Sequence, residues 1–447
     1  MNIYFHIDEL NRDAIVASAL KLKFAEKGHK LIYGNRVGNR LLKYFHGVFD
    51  VIIMPRPHML YDNWGDHWIN WHSKFIMLST ESVGIICQDH HVMARTLLEK
   101  DYFEGEKKYI NRIDAFCFWG RKQLQSVKDY ADEISFKCHV VGHPRHDTYC
   151  LEQNFKQINN IRKKSKIGII TRAVALNDYF DRSPLEAFSV LFNDHFKYEF
   201  YNRETGEKLI SKRTQTEPAS VLIVQAIDIE NTLKVVEKLI ENGYDISIRI
   251  HPKERVSNWN NLFKSCNLNV EISDEKMPIS NWILEVDYVI GPPSTSFYDA
   301  LMLGKTPISI ENIDPRRRAS VGELWEDNNR LMHYIYKPDS IEKLVDFIDQ
   351  SNVIEINNEI SLILEEEADF PNCADSLEKI CKICIENVPS PKTKKITLFI
   401  FLVVRQLFFK LWRIKNSLVK RRENSAMFIL GKSESEFINK LCAKITG

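Results

Sequence analysis

Short apolar runs alternate with amphipathic segments along most of this chain, and the pattern is clearest between residues 220 and 310. A short apolar run followed by a segment with helical spacing is typical of a parallel βα unit. The pattern here predicts a strand at 221–225, a helix at 230–241, and strands around 246–250, 287–291 and 306–310. A further strand at 167–171 is predicted to begin the same domain.

The first third of the chain shows the same alternation. A helix is predicted from Asp13 to Lys27, where Gly28 would end it. The predicted strands are residues 3–7, 29–33, 51–54, 75–78, 84–87, 115–119 and 138–141. Two α/β domains are therefore expected, at residues 1–150 and 151–388. No G-x-G-x-x-G sequence follows the first strand, so the pattern does not support a dinucleotide site of that type.

The pattern changes after the Pro389-Ser390-Pro391 linker. Residues 389–447 read as a basic amphipathic tail, with an apolar run at 396–404 that Arg405 interrupts. A run this short cannot easily span a bilayer, whereas a helix with aromatic residues and a basic flank suits the membrane interface. We expect residues 392–422 to attach the protein peripherally to the inner face of the cytoplasmic membrane. The interfacial side chains are expected to be Ile396, Phe399, Phe401, Leu402, Phe408 and Trp412. The alternative is a helix that packs on the protein's own core.

Composition narrows the class of protein. The chain has 447 residues, of which 44% are hydrophobic and 27% charged, and its net charge is +1. A nearly neutral chain argues against a dedicated nucleic-acid binder. Its nine cysteines form no framework, and the Cys381/Cys384 pair lacks a second pair, so packing thiols in a reducing cytoplasm are expected instead of a zinc site.

Candidate donor-binding residues follow two predicted strands of the second domain. Ligands of open α/β sheets lie beyond the carboxyl ends of the strands, and hydroxyl groups at a helix start can hold a phosphate. Either group alone could instead be a helix cap or a structural histidine. Found together, they predict a nucleotide site on adjacent strand ends, formed by Gln225, Arg249, His251, Pro252, Lys253, Glu254, Ser294, Thr295 and Ser296.

Two loops of the first domain place carboxylates after predicted strands. Glu81 follows the strand at 75–78, and Asp147 follows the strand at 138–141. Taken singly, each could be a helix-start charge or an ion-pair partner, but together they are the candidate acid/base and nucleophile. Possible substrate contacts are Asp8, Glu9, His58 and Arg145. Trp64, Trp68 and Trp71 could stack on a sugar, although packing at a domain face is slightly favoured.

The order of these motifs resembles the bacterial surface-carbohydrate biosynthesis family, whose members include retaining β-Kdo transferases that use CMP-Kdo. The similarity covers roughly residues 1–350. The sequence differs from the family pattern at His143, where Asn is expected, and at Ser82, where Gly is expected. The motifs that carry the resemblance are Ile7–Glu9, Met54–His58, Ser79–Glu81, Gly142–Asp147, Gln225-Ala226 with Glu230–Thr232, Arg249–Glu254 and Pro293–Ser296.

The resemblance implies a GT-B-like fold, in which two Rossmann-like domains face each other across a cleft. It also implies transfer of Kdo from CMP-Kdo, without a metal or other cofactor, onto a surface polysaccharide or a lipid-linked glycan. His251 and Ser294–Ser296 would hold the cytidine monophosphate. A carboxylate of the first domain would form a covalent glycosyl-enzyme intermediate, which gives net retention.

Three other functions remain open from the sequence. One is a glycerophosphotransferase of the teichoic-acid type with a CDP-linked donor, and another is a GT-B glycosyltransferase with a UDP- or GDP-sugar. The third is a nucleotide-binding scaffold without catalysis, against which the candidate carboxylates Glu81 and Asp147 argue mildly. Hydrolysis of the different donors would distinguish these functions.

Overall fold

The structure is a computed structural model, and it describes most but not all of the chain. The described residues are 1–7, 10–34, 36–55, 65–78, 107, 109–125, 132–147, 165–178, 182–186, 188–189, 200–201, 208–209, 218–274, 277–321, 330–370, 375–388 and 395–418.

The first sheet has six parallel strands in the spatial order β2-β1-β3-β4-β5-β6. These strands are almost continuously apolar because helices cover both faces of the sheet. Their bounds are β1 Asn2–His6, β2 Lys30–Gly34, β3 Val51–Met54, β4 Lys74–Leu78, β5 Ala115–Phe118 and β6 Cys138–Val140. The predicted strands of this half are confirmed except for residues 84–87, which lie outside the described part of the chain.

The second sheet has five parallel strands in the order β11-β10-β7-β12-β13. Its strands are β7 Lys166–Ile170, β10 Asp245–Arg249, β11 Glu271–Ile272, β12 Tyr288–Gly291 and β13 Thr306–Ser309, while β8 Phe200–Tyr201 and β9 Lys208–Leu209 form a separate antiparallel pair. Counted along this half of the chain, the order is 3-2-1-4-5, as in the Rossmann fold. Two parallel sheets confirm the predicted α/β, GT-B-like fold class.

Helices connect and cover the strands. They are α1 Leu10–Glu26, α2 Arg36–Phe45, α3 Pro218–Glu241, α4 Val256–Ser265, α5 Ile279–Leu284, α6 Ser296–Met302, α7 Pro315–Val321, α8 Ile341–Asp349, α9 Asn358–Ala368, α10 Ser376–Glu386 and α11 Lys395–Leu418. The strand predicted at 221–225 is wrong, because these residues lie inside α3. A short apolar run does not by itself distinguish a strand from a buried helical segment.

Two helices from the end of the described chain pack on the first sheet. Helix α10 packs beside α1, and its Leu377, Ile380 and Cys384 are buried in the core on that face. Burial raises the pKa of the Cys384 thiol well above its ordinary value, so this thiol is a packing group. The division at residues 150/151 and 388/389 stays a prediction, but α10 belongs by packing to the first sheet.

Helix α11 packs on the opposite face of the first sheet, beside α2. Leu398 and Phe401 are buried there, and Phe401 makes edge-to-face contacts with Phe45 and Phe49. The prediction that Phe401 faces a membrane is therefore wrong, and packing on the protein's own core holds for this side of the helix. Trp68 and Trp71 are also buried in this core, which confirms packing for these two tryptophans. Among the described helices, none has both the length and the apolar content needed to cross a membrane.

Candidate nucleotide site at the second sheet

Strand β7 is the centre of the candidate site. It pairs with β10 on one side and with β12 on the other, and all three strands run parallel. The chain leaves β7 for β10 and only later returns to β12, so the strand order reverses beside β7. In open α/β sheets, ligands bind in the crevice at the carboxyl ends of the strands at such a reversal.

Thr171 and Arg172 follow β7 directly and therefore lie at this crevice. Nη1 of Arg172 donates a hydrogen bond to the carbonyl oxygen of Pro293 at 2.6 Å. Burial and the neighbouring Arg317 lower the pKa of Arg172 to about 10, and Asp228 opposes this shift. The guanidinium therefore stays cationic at neutral pH.

His251 follows β10, and its ring is held by the turn in which it lies. The backbone N–H of His251 donates to Oγ1 of Thr171, and its Nδ1 accepts the backbone N–H of Lys253, each at 3.1 Å. Burial, then the positive charges of Lys253 and Arg172, lower the pKa of His251 to about 3. The imidazole is therefore neutral at physiological pH. With Nδ1 accepting, its proton is on Nε2, which can donate to a ligand.

Ser294, Thr295 and Ser296 follow β12 and are half-buried. The Ser294 hydroxyl accepts the backbone N–H of Ser296 at 3.2 Å. Helix α6 is only seven residues long, and the side chain of Thr295 makes no capping hydrogen bond to it. Because the helix is short, its dipole is not the main polar feature of this strand end. The polar groups available here are the hydroxyl groups of these residues.

The prediction that His251 and Ser294–Ser296 lie on adjacent strand ends is wrong. Strand β7 lies between β10 and β12, so the two groups are separated by two strand spacings, about 10 Å. A ligand that contacts both must pass over the end of β7. Arg172 lies at that intermediate position.

Three of the predicted donor-binding residues are engaged within the protein. Glu254 is buried; its carboxylate accepts the backbone N–H of Ala173, the Thr171 hydroxyl and the indole N–H of Trp259. Oε1 of Gln225 accepts the backbone N–H groups of Ala175 and Leu176. Both residues therefore hold the turn after β7, which carries Arg172.

Arg249 is also buried, and its guanidinium is held by the loop that follows β11. It donates to the carbonyl oxygens of Asp274 and Met277 and to the hydroxyl of Ser273. These contacts fix the chain between β11 and α5. Of the remaining predicted donor-binding residues, Pro252 is half-buried in the turn after His251, while Lys253 is exposed beside it.

Charged residues form a buried layer near Arg172. Arg317 donates to Oδ1 of Asp228 at 2.7 Å and lies 3.9 Å from Glu311, which pairs with Lys337. Arg317 belongs to α7, so the basic run at 315–318 is helical. With Arg172, this layer holds three cations and two carboxylates.

Asp147 contacts the start of a helix, and its nucleophilic role stays a prediction. Its two carboxylate oxygens accept the backbone N–H groups of Ser376 and Leu377, at 3.2 and 2.7 Å, at the start of α10. Burial raises the pKa of Asp147 to about 6, although these two hydrogen bonds oppose the shift. The side chain is thus oriented as a helix cap inside the protein.

The neighbouring Arg145 links the first sheet to the second. Its Nη2 lies 3.6 Å from Oδ1 of Asp299, and both side chains are buried. Arg145 was predicted as a substrate contact, but in this structure it pairs with a carboxylate of α6. Glu81, Asp8, Glu9 and His58, the other candidates of the first half, lie outside the described residues.

Sequence reasoning missed Thr171 and Arg172. The strand at 167–171 was predicted, and the rule that ligands lie beyond strand ends applies to it as much as to the two strands that follow. The sequence alone does not show that this strand is the central one of its sheet. Within the described part of the chain, no group of three or more His, Cys, Asp or Glu residues could hold a metal ion.

No protein-family model and no curated protein sequence matches this chain. Solved structures with a similar fold include a variant of the wall teichoic acid polymerase TagF, at 12% identity over 87% of this chain and 89% of that one, with a TM-score of 0.49. The UDP-GlcNAc 2-epimerase of Methanocaldococcus jannaschii, in complex with UDP-GlcNAc and UDP, is similar at 10% identity over 86% of this chain and 100% of that one, also with a TM-score of 0.49. These likenesses concern the fold and assign no residue role.

Proposed function

We propose that this protein is a transferase with a nucleotide-linked donor, and that the donor's phosphate binds over the end of β7. The position of Arg172 carries the proposal: it extends from the central strand, at the reversal of strand order, between His251 and Ser294. A guanidinium is suited to phosphate because it presents several N–H groups in one plane.

The three side chains would recognise a phosphate in different ways. Arg172 supplies positive charge, Nε2 of His251 supplies a neutral N–H donor, and Ser294 supplies a hydroxyl group. The low pKa of His251 makes its contribution independent of pH between about 5 and 8. Glu254 and Gln225 would contribute indirectly, because they fix the turn that carries Arg172.

We further propose that the donor is CMP-Kdo and that the acceptor is a surface polysaccharide or a lipid-linked glycan. The support is the order of motifs shared with β-Kdo transferases. CMP has a single phosphate and is a competent leaving group, so the reaction requires positive charge near that phosphate but no metal. Glu81 is the carboxylate that we propose for the chemistry in the first half, and the capping contacts of Asp147 favour a structural role for it.

A donor panel tests the proposal. Purified full-length protein is incubated with CMP-Kdo, CDP-glycerol, UDP-GlcNAc and GDP-mannose, and release of the nucleotide is measured by chromatography. We expect release of CMP from CMP-Kdo, and loss of at least nine-tenths of this rate in Arg172→Gln, as ~10-fold follows from one lost charge-assisted hydrogen bond. Arg316→Gln is the matched control, because Arg316 is exposed and pairs with Asp314 and Glu230.

The other outcomes each identify a different function. Turnover of CDP-glycerol alone would indicate a glycerophosphotransferase, and turnover of UDP-GlcNAc or GDP-mannose would indicate another glycosyltransferase. If nucleotides bind in calorimetry but no donor is cleaved with any acceptor fraction, a nucleotide-binding scaffold is the better description. If no nucleotide binds, the phosphate site itself is refuted.

A further inference from the structure

Helix α11 is apolar on two opposite sides, and the described part of the chain covers only one of them. The inward side carries Leu398 and Phe401, which are buried against α2 and the first sheet. Arg405 is buried on the same side, next to Tyr4 and Tyr33, and burial lowers the pKa of its guanidinium. This packing fixes the helix on the first sheet.

The outward side is an apolar stripe exposed to solvent. Its residues are 42–79% exposed, and each lies three or four positions from another of them, so they share one side of the helix. We call this set of residues the outward stripe; it consists of Ile396, Phe399, Ile400, Val403 and Leu407. A helix that is apolar all round is normally covered on every side. We therefore expect a partner to cover the outward stripe.

The charge of the surrounding sequence indicates what that partner is. Residues 389–422 contain no Asp or Glu, whereas the whole chain has a net charge of only +1. Apart from the buried Arg405, the basic residues of this segment are Lys392, Lys394, Lys395, Lys410, Arg413, Lys415, Lys420, Arg421 and Arg422. Apolar side chains flanked by such a block of positive charge match an anionic lipid surface. The apolar side chains would contact the acyl chains, and the basic side chains would contact the headgroups.

We propose that the outward stripe of α11 docks on an anionic bilayer, with the helix axis parallel to the membrane plane. The helix is 24 residues long, about 36 Å, so its stripe can lie along the interface over several turns. Because the inward side is packed on the first sheet, docking holds this sheet at a fixed orientation to the membrane. This inference does not depend on the proposed transferase activity.

Vesicle sedimentation of the full-length protein tests the docking. Wild type is expected to bind vesicles of phosphatidylcholine with phosphatidylglycerol, and to bind phosphatidylcholine alone much more weakly. The double variant Phe399→Ser, Leu407→Ser is expected to bind the anionic vesicles at least about tenfold more weakly, since two large apolar side chains no longer enter the lipid. The matched control is Phe136→Ser, because Phe136 is 75% exposed but lies outside α11.

A second measurement keeps the test decisive if the double variant is poorly folded. In Phe399→Trp, brominated lipids should quench the new fluorescence on binding, which reports insertion at that position in an otherwise intact stripe. No quenching, or equal vesicle binding by wild type and the folded double variant, overturns the proposal. If sedimentation velocity without lipid shows a dimer that the double variant abolishes, and vesicles do not bind, the stripe is an interface between two copies of the chain.

Discussion

Arg172 and Pro293 join two strand ends of the second sheet through a hydrogen bond of 2.6 Å, from Nη1 of the arginine to the carbonyl oxygen of the proline. This contact places the guanidinium next to the turn that carries Ser294. The same guanidinium is close enough to His251 to lower its pKa. Arg172 therefore lies between the other two strand ends of the proposed phosphate site.

Replacing Arg172 should weaken nucleotide binding more than it destabilises the fold. We expect Arg172→Gln to raise the Kd for CMP about 10- to 100-fold, because charge-assisted hydrogen bonds contribute roughly 1.5–3 kcal/mol. Arg172→Lys should recover part of the loss, since it keeps the charge but not the planar donor geometry. Isothermal calorimetry measures both, with Arg316→Gln as the control. Equal affinity in all four proteins would contradict this role.

The neutral state of His251 has a consequence for stability. Its pKa in the folded protein is about 3, below the ordinary value of 6.5, so the unfolded chain binds the proton more tightly. Its contribution to the free energy of unfolding is therefore complete above pH 6.5 and is lost as the pH falls from about 6.5 towards 3. Between these limits, we expect wild type to lose stability more steeply than His251→Gln, which cannot titrate. Urea unfolding at several pH values measures the difference.

Burial of Glu254 has the opposite effect on how stability depends on pH. Its pKa is raised to about 6, so its unfavourable contribution to stability appears as the pH rises from about 4.5 to 6. Comparison of wild type with His251→Gln cancels this effect, since both proteins retain Glu254. Identical pH profiles for the two proteins would show that His251 is not buried in its neutral form.

Asp147 should behave as a helix cap. We expect Asp147→Ala to lower the free energy of unfolding by about 1–2 kcal/mol, because the backbone N–H groups of Ser376 and Leu377 lose their acceptor. Asp147→Asn keeps one acceptor oxygen and should lose less. Urea unfolding measures both variants.

Activity separates this role from that of a nucleophile. A cap predicts that Asp147→Asn keeps donor turnover in proportion to its folded fraction. A nucleophile predicts that turnover is abolished while folding is retained, and mass spectrometry of the slowly reacting wild type would then show a sugar adduct on Asp147. The second result would overturn the capping assignment.

Glu367 forms hydrogen bonds with residues from both halves of the chain. Replacing it should therefore destabilise the fold more than replacing Glu366. Its carboxylate accepts the Tyr298 hydroxyl at 2.6 Å and the Lys122 ammonium at 3.1 Å, and Lys122 belongs to the first half of the chain. We expect Glu367→Gln to cost about 1–3 kcal/mol of stability. Glu366→Gln is the control, because Glu366 pairs with Arg330 at a partly exposed position and should cost about 1 kcal/mol or less. Thermal unfolding that ranks the two variants in the reverse order would contradict the prediction.

Much of the fold follows from the sequence itself. The inner strands of both sheets are almost wholly buried, so their apolar runs stand out from the amphipathic helices around them. The candidate site could be located for the same reason, since His251 and Ser294 directly follow two such strands. Residues 221–225 were misread because an apolar run inside a long helix has the same local appearance as a strand.

Other features were decided only by tertiary structure. The sequence gives no strand order, so it could not show that β7 lies between β10 and β12 and brings Arg172 to the middle of the site. It also could not show that Asp147 meets Leu377, 230 positions later, or that α11 buries Phe401 while leaving Phe399 exposed. Local patterns determine which segments become strands and helices, because the spacing of apolar residues within a segment indicates which of its sides is buried. The partners of a buried charge, and the covered side of a helix that is apolar all round, depend on what the rest of the chain packs against it.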